Sequence, residues 1–256
     1  AGTADNNQRN VRDAYYNYVN GLPTGQNQTD MVILLGDNAY DDGTDAEYQV
    51  AVFENMYEAM LKKAVLWSTL GNHDGHTADA GTQTGPYFDI FSFPKNGEAG
   101  GVPSGTEAYY SFDYANIHFI VLESNETDRS VGGAMYNWAQ ADIQNAVSDW
   151  IVAIWHHPPY TRGSHISDIE TELVQMTRHF DFGILNAFAD FHLLLASQQG
   201  HLPHLFEVLA HRVVEYIQSS IGGFAGAFFG LDVFDGRAAG TAQVFVFFDF
   251  CLIDDR

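Results

Sequence analysis

Helical and strand-like apolar patterns alternate through the first part of the chain. Unbroken apolar runs predict buried strands, while apolar residues at i, i+3, i+4 and i+7 predict amphipathic helices. The predicted helices are 10–19, 45–63 and 135–147; the predicted strands are 31–35, 65–70 and 150–155, with a further strand pair at 109–114 and 117–122. This order of elements is typical of an α/β (α+β) domain built on β-sheets.

The rest of the chain has a less regular pattern. A stretch rich in Gly, Thr and Pro, residues 75–107, predicts a long surface loop that would shape access to a site. The aromatic residues of this loop could line an apolar wall, although packing onto the body of the domain is the favoured interpretation: Tyr87, Phe88 and Phe91. Further helices are predicted at 169–180 and 205–217, and further strands at 191–196 and 243–248. Without repeats or an evident linker, residues 1–256 are interpreted as one domain.

Composition and charge exclude several classes of protein. Hydrophobic residues make up 46% of the chain, which is enough for a full core. The formal net charge is −22 and there is no basic patch, so nucleic acids and anionic membrane surfaces are not expected partners. No apolar run reaches the roughly 18–20 residues that cross a bilayer. Cys251 is the only cysteine, which excludes an intrachain disulfide and a thiolate metal site.

Metal-capable side chains follow three of the predicted buried strands. The three segments are Gly36-Asp37-Asn38-Ala39-Tyr40, Gly71-Asn72-His73-Asp74 and His156-His157. Each segment alone could be an ordinary turn, but all three occur in order at strand ends, where open α/β sheets form their sites. Oxygen and nitrogen donors without sulfur suit zinc, manganese or iron, and a phenolate suits ferric iron. The sequence therefore predicts a metal site.

The three segments resemble ordered motifs of the metallophosphoesterases: Gly-Asp-x-x-Tyr, Gly-Asn-His-Asp and a strand ending in His. Tyr40 makes the chain similar to the purple acid phosphatase-like branch. The strand pair 109–114 and 117–122 also looks like that family's, so the resemblance covers about residues 1–170. It implies a four-layer fold in which two mixed β-sheets pack face to face between flanking helices.

The resemblance also implies a dinuclear Fe(III)–M(II) centre, with M being Zn, Mn or Fe. By this resemblance, Asp37 would bridge the two metals and Tyr40 would bind the ferric ion. Asn72 and His156 would bind the divalent ion, and His157 would support the site without ligating. Two adjacent cations lower the pKa of a bound water and neutralise charge on a phosphate.

Further roles follow from the same resemblance. His73 would lie over the substrate phosphate as a charge-stabilising group or proton donor, with Asp74 behind it as its orienter. His165 either contacts the phosphate as a second His or is a surface loop residue. The family's last motif, Gly-His-x-His, is not intact, and its nearest candidates as metal ligands are His201 and His204.

The leading prediction is hydrolysis of small phosphomonoesters. Phosphodiesters on the same fold are an alternative, and so is a catalytically silent member that binds a ligand or partner, because two motifs depart from the pattern. The family's opening Asp-x-Gly motif would end at Ala1-Gly2, with its aspartate upstream. Low Lys, high acid and a single Cys favour a secreted or periplasmic protein.

Overall fold

The computed structural model describes residues 2–24 and 27–157, together with the backbone of four later strands. The elements in chain order are α1 (Asn6–Asn20), β1 (Met31–Leu34), α2 (Asp45–Tyr48), a π-helical segment (Gln49–Tyr57), α3 (Glu58–Leu61), β2 (Val65–Ser68), a 3-10 turn (Asp74–His76), α4 (Pro86–Ile90), β3 (Tyr110–Tyr114), β4 (Ile117–Val121), α5 (Ala134–Asn145), β5 (Trp150–Ile154), β6 (Gly183–Asn186), β7 (His192–Ser197), β8 (Phe228–Phe234) and β9 (Thr241–Phe247). In the described part of the chain, no helix has the length and apolar character needed to cross a membrane.

The strands form two mixed sheets. The first sheet has four strands in the order β2-β1-β9-β8, and the second has five in the order β3-β4-β5-β7-β6. In the first sheet β1 is parallel to both β2 and β9. In the second, β4 is parallel to β5, while β3 and β7 run antiparallel to their neighbours. Each sheet therefore contains a parallel pair whose carboxyl ends lie at one edge, where a site is expected.

The two sheets pack face to face through aromatic side chains. Trp67 of β2 stacks on Phe112 of β3 with ring centroids 3.8 Å apart and an interplanar angle of 5°. Phe112 in turn stacks on Phe119 of β4, at 4.7 Å. One core cluster unites the apolar residues of β1 with the inward-facing residues of the second sheet. This contact confirms the predicted pairing of two mixed sheets.

Side chains of the second sheet alternate between two cores. Phe119, Val121, Val152 and Ile154 belong to the core between the sheets, whereas Ile120, Leu122, Ile151 and Ala153 belong to a second cluster. That second cluster also contains Met135 and Trp138 of α5. Because successive strand residues point to opposite faces, α5 covers the outer face of this sheet. Burial of each large apolar side chain contributes about 1.5–3 kcal/mol.

Helices cover the first sheet in the same way. All four residues of β1 are buried, although its side chains point alternately to both faces. Tyr15 and Val19 of α1, with Tyr48 and Met56 of the next helical segment, belong to the same cluster as β1. The order is therefore helices, sheet, sheet and helix, which confirms the predicted four-layer architecture.

The predicted helix over 45–63 contains a π-helical segment in its middle. Thr44 and Glu47 cap its start reciprocally: the Glu47 amide donates to Thr44 Oγ1, and Glu47 Oε2 accepts from the Thr44 amide. Residues 49–57 then widen to the i to i+5 pattern. Apolar spacing over two or three turns does not distinguish this pattern from an α-helix, so the sequence predicted one continuous α-helix.

The prediction that strand 65–70 is buried on both faces is wrong for its start. Val65 is 58% exposed, and only Ser68 of β2 is buried. Among the described strands, β2 has a neighbour on one side only, so it lies at the edge of its sheet. An apolar run read from sequence does not tell an edge strand from a central one.

The loop over 75–107 contains one short helix, α4, that the sequence did not predict. Tyr87 and Phe91 are buried in the core between the sheets, and Phe88 packs against it. This confirms the favoured interpretation, in which these aromatic residues pack onto the body.

The later part of the chain is described only at four strands. β7 and β9 confirm the strands predicted near 191–196 and 243–248, whereas the sequence did not predict β6 and β8. The helices predicted at 169–180 and 205–217 lie outside the described residues.

Candidate metal centre

Three strand ends bring oxygen and nitrogen donors to one point. Asp37 follows β1 and Asn72 follows β2, while His156 follows β5 of the other sheet. His156 Nε2 lies 3.0 Å from Asn72 Oδ1 and 3.3 Å from Asp37 Oδ1. Tyr40 joins them because its hydroxyl donates to Asp37 Oδ2 at 2.6 Å. The four side chains singled out from three separate sequence segments thus form one cluster.

Two glycines make this close approach possible. A Cβ at Gly71 would lie 2.0 Å from the Asp37 amide nitrogen and 2.3 Å from Asp37 Oδ1, closer than atoms can pack. Gly36 has a positive φ of 85°, and a Cβ there would meet the His156 ring at 2.5 Å. These glycines in the sequence motifs are therefore required by sterics at the site itself.

The hydrogen bonding of His156 bears on whether this cluster could hold a cation. His156 Nδ1 lies 2.9 Å from the Leu35 carbonyl oxygen, which can only accept, so Nδ1 carries a proton. In a neutral ring Nε2 is then an acceptor, and it faces the acceptor oxygens of Asn72 and Asp37. A proton on Nε2 or a metal ion would make both contacts favourable, and the Asn72 amide group could also turn its NH2 toward Nε2. The donor set therefore fits a metal.

Asp37 is charged despite being buried. Burial would raise the pKa of its carboxyl group, but the neighbouring His156, the Tyr40 hydroxyl and the His73 amide together hold that pKa below its usual value. His73 donates its amide hydrogen to Asp37 Oδ1 at 3.0 Å. An ionised carboxylate with both oxygens directed at the cluster is suited to bridge two cations.

His73 lies at the edge of the cluster, half-buried. Its ring packs against Tyr40, with centroids 4.3 Å apart. Its Nδ1 lies 2.5 Å from the main-chain oxygen of Asp41, so this nitrogen carries the proton in a neutral ring. The fixed Nδ1 leaves Nε2 as the nitrogen that can meet a substrate.

The His73 ring meets the Asp41 carbonyl oxygen through Nδ1, and the role of Asp74 as its orienter stays a prediction. The Asp74 carboxylate is fully buried and accepts from the amides of Asn38 and Gly71 and from the Tyr48 hydroxyl. Burial raises the pKa of Asp74, although these hydrogen bonds oppose the shift. Asp74 therefore joins the loop that carries Asp37 to the loop that carries Asn72.

The sequence did not identify the Tyr48 hydroxyl and the Asp41 carbonyl as hydrogen-bond partners of Asp74 and His73. Tyr48 carries no motif signal, and the Asp41 contact is made by the main chain, which no side-chain pattern encodes. His157, expected to support the site, contacts Ser124: its Nδ1 lies 2.9 Å from Ser124 Oγ.

The remaining predicted site residues are His165, His201 and His204, and all three lie outside the described residues. Within residues 2–24 and 27–157, no three His, Cys, Asp or Glu side chains converge as a metal-binding group. The described cluster contributes two such residues, Asp37 and His156, together with a phenol and an amide. It fits one part of a metal centre, and the other ligands would come from elsewhere.

Sequence comparison places the chain in a family. The family model for calcineurin-like phosphoesterases matches residues 5–192, more than half of the chain. The chain therefore belongs to the calcineurin-like phosphoesterase family, and the resemblance stated above is confirmed.

Curated relatives lie in the expected branch. The chain is 28% identical over 160 residues to purple acid phosphatase 15 of Arabidopsis thaliana, covering 53% of this chain and 29% of that protein. It is 33% identical over 117 residues to purple acid phosphatase 23 of the same plant, covering 44% and 24%. A match to purple acid phosphatase 22 is 27% identical over 151 residues, covering 56% and 32%. The chain spans about a third or less of the length of these relatives.

Proposed function

We propose that this protein hydrolyses small phosphomonoesters at a dinuclear Fe(III)–M(II) centre, where M is Zn, Mn or Fe. The observation that carries the proposal is the convergence of Asp37, Asn72 and His156, in which acceptor atoms face one another at 3.0–3.3 Å. Such a contact suits a cation, and the family to which the chain belongs supports phosphoester chemistry.

Each donor has a role that its position supports. Asp37 would bridge the two metals, because its oxygens face Tyr40 on one side and His156 on the other. Tyr40 would bind the ferric ion, and Asn72 and His156 the divalent ion. When bound, the two metals supply an activated water and neutralise charge on the phosphate.

His73 would complete the chemistry on the leaving-group side. Its Nδ1 donates to the Asp41 carbonyl, so Nε2 is the nitrogen left to face the substrate. In the doubly protonated ring, Nε2 would donate a hydrogen bond to the phosphate or a proton to the leaving oxygen. Packing against Tyr40 fixes the ring next to the ferric ligand. His165 would contact the phosphate from a second side, and His201 and His204 would supply further metal ligands.

The chemistry of the surface supports a small substrate. The net charge of −22 opposes binding to long polyanions, whereas a small phosphate ester can enter a site whose charge is balanced by metals. The acidic, lysine-poor composition supports a secreted or periplasmic location.

The direct test compares hydrolysis of p-nitrophenyl phosphate with that of bis(p-nitrophenyl) phosphate after reconstitution with iron and zinc. We expect the monoester to react faster, and Asp37→Asn to lose activity on both. The matched control is Asp128→Asn, a change at an exposed loop carboxylate, which should retain activity.

Each other result has a definite meaning. Faster hydrolysis of the diester would show that phosphodiesters are the preferred substrates, and the proposed metal centre would stand. An Asp37→Asn variant with full activity would refute the assigned centre. Absence of hydrolysis of either ester by reconstituted protein would favour the silent binding member.

A further inference from the structure

Tyr48 is a fully buried phenol that the proposed chemistry does not use. It lies at the end of α2, with no exposed surface, in the core beside β1. Its hydroxyl donates to Asp74 Oδ1 at 2.5 Å. A hydroxyl this deep in a core needs a partner, and its partner is a carboxylate that is also fully buried.

Asp74 also hydrogen-bonds the two loops that carry the proposed metal ligands Asp37 and Asn72. Its carboxylate accepts from the Asn38 amide at 3.1 Å, and this peptide nitrogen directly follows Asp37. It also accepts from the Gly71 amide at 2.9 Å, one residue before Asn72. The Asn38 side chain adds a further donor to Asp74 Oδ2 at 2.9 Å. One carboxylate thus fixes the main chain beside two metal-donor residues.

We propose that Tyr48 is a positioning residue for the metal centre, acting through Asp74 on the loops that carry Asp37 and Asn72. The inference rests on the proposed function, because it assigns to that site a residue that touches neither metal nor substrate. It joins the centre to the helical layer, since Tyr48 is part of the segment that packs on β1.

The physical reason is the cost of removing one donor from a buried carboxylate, which would keep the Asn38 and Gly71 donors alone. Without the phenol, Asp74 Oδ1 would lose a short hydrogen bond in a site that is closed to solvent. The carboxylate would rotate or admit water, and the Asn38 and Gly71 amides that it holds would move with it. Metal sites need their ligands within about 0.5 Å of the binding geometry, so a small shift lowers affinity.

The Tyr48 hydroxyl is the donor in its hydrogen bond to Asp74. Burial, and then the charge of Asp74, raise the pKa of Tyr48 well above its ordinary value. Its hydroxyl therefore keeps its proton, and the hydrogen bond runs from Tyr48 to Asp74.

Tyr48→Phe tests the inference because it removes one oxygen and leaves the ring in place. Zn(II) titration of the metal-free 256-residue chain by calorimetry should show a dissociation constant roughly 10–100-fold higher than that of the wild type. The matched control is Tyr87→Phe, which also removes a hydroxyl from a buried ring. The Tyr87 hydroxyl donates to the Ser68 carbonyl, which keeps a second donor, the Tyr110 hydroxyl at 2.7 Å.

A melting curve in EDTA separates positioning from loss of stability. We expect both variants to fold and Tyr87→Phe to bind Zn(II) as the wild type does. Equal Zn(II) affinity of Tyr48→Phe and wild type would overturn the inference. So would a Tyr48→Phe chain that fails to fold while Tyr87→Phe folds, because the hydroxyl would then serve folding. A wild-type chain that binds no Zn(II) would overturn the proposed centre itself, together with this role.

Discussion

We expect a buried histidine outside the candidate metal centre to make the stability of this protein depend on pH. His118 of β4 is 1% exposed, and its two ring nitrogens face carboxylates. Nδ1 lies 2.6 Å from Asp113 Oδ1, and Nε2 lies 2.8 Å from Asp142 Oδ2. When both carboxylates are ionised, both contacts are hydrogen bonds only if the ring carries two protons. Burial lowers the pKa of His118, but the two aspartates outweigh it and raise that pKa above the ordinary 6.5.

The direction of the pH effect follows from the raised pKa. A histidine whose folded pKa exceeds its unfolded value contributes its full stabilisation below the unfolded pKa. That contribution is lost as pH rises from about 6.5 through the folded pKa. Within this window the free energy of unfolding should fall by up to about 1.4 kcal/mol per pH unit.

Replacing His118 measures how much its two carboxylate contacts contribute to the free energy of unfolding. In His118→Gln the Asp142 carboxylate, fully buried, would keep only the Val102 amide at 2.6 Å and the Ser111 hydroxyl at 3.1 Å. Removing one partner of a buried charge pair costs about 3–5 kcal/mol. Since whole domains are stable by about 5–15 kcal/mol, this is a large fraction.

Urea denaturation at pH 6, 7.5 and 9 measures both effects. We expect the wild type to lose stability as pH rises and His118→Gln to be less stable at pH 6, with the gap narrowing at pH 9. The control is His76→Gln, since that ring is 49% exposed beside Asp42 and should add little. If the wild-type and His118→Gln curves run parallel over this range, the assignment of a charged buried ring is refuted.

Three further outcomes test the site and the core. Gly71→Ala should abolish metal binding in elemental analysis, because the added Cβ would lie 2.0 Å from the Asp37 amide nitrogen. The control Gly81→Ala, whose added Cβ would have its nearest atom at 3.4 Å, should bind metal as the wild type does. Equal metal content in the two variants would contradict this prediction. Phe112→Ala should lose about 3–5 kcal/mol in urea denaturation, because Phe112 is 1% exposed and stacks on Trp67; a loss below about 1 kcal/mol would contradict the described packing. Removing metal with EDTA should lower the calorimetric melting temperature, since metal at 100 times its dissociation constant stabilises the fold by about 2.7 kcal/mol; an unchanged temperature would count against a resident metal.

The sequence predicted those parts of the structure that depend on local pattern. The run over 31–35 indicated a buried strand, and β1 is buried on both faces. The strand-end positions of Asp37, Asn72 and His156 indicated one site, and the structure brings His156 Nε2 within 3.3 Å of an oxygen of each of the other two. Their roles as metal ligands remain predictions.

Contacts between distant segments could not be predicted in the same way. Tyr48 lies 26 positions from Asp74, and His118 lies 24 positions from Asp142. Nothing in the spacing of these residues marks them as partners, because the pairing depends on how the layers pack. The partner of His73 is a main-chain oxygen, which no residue type encodes.

Elemental analysis of purified protein, scaled to protein concentration, tests the central claim most directly. We expect about two metal ions per chain, including iron, as a dinuclear hydrolytic centre requires. Zinc or manganese at about two per chain without iron would keep the hydrolase and remove the ferric role of Tyr40. No bound metal, even after reconstitution, would contradict the proposed phosphoester hydrolysis.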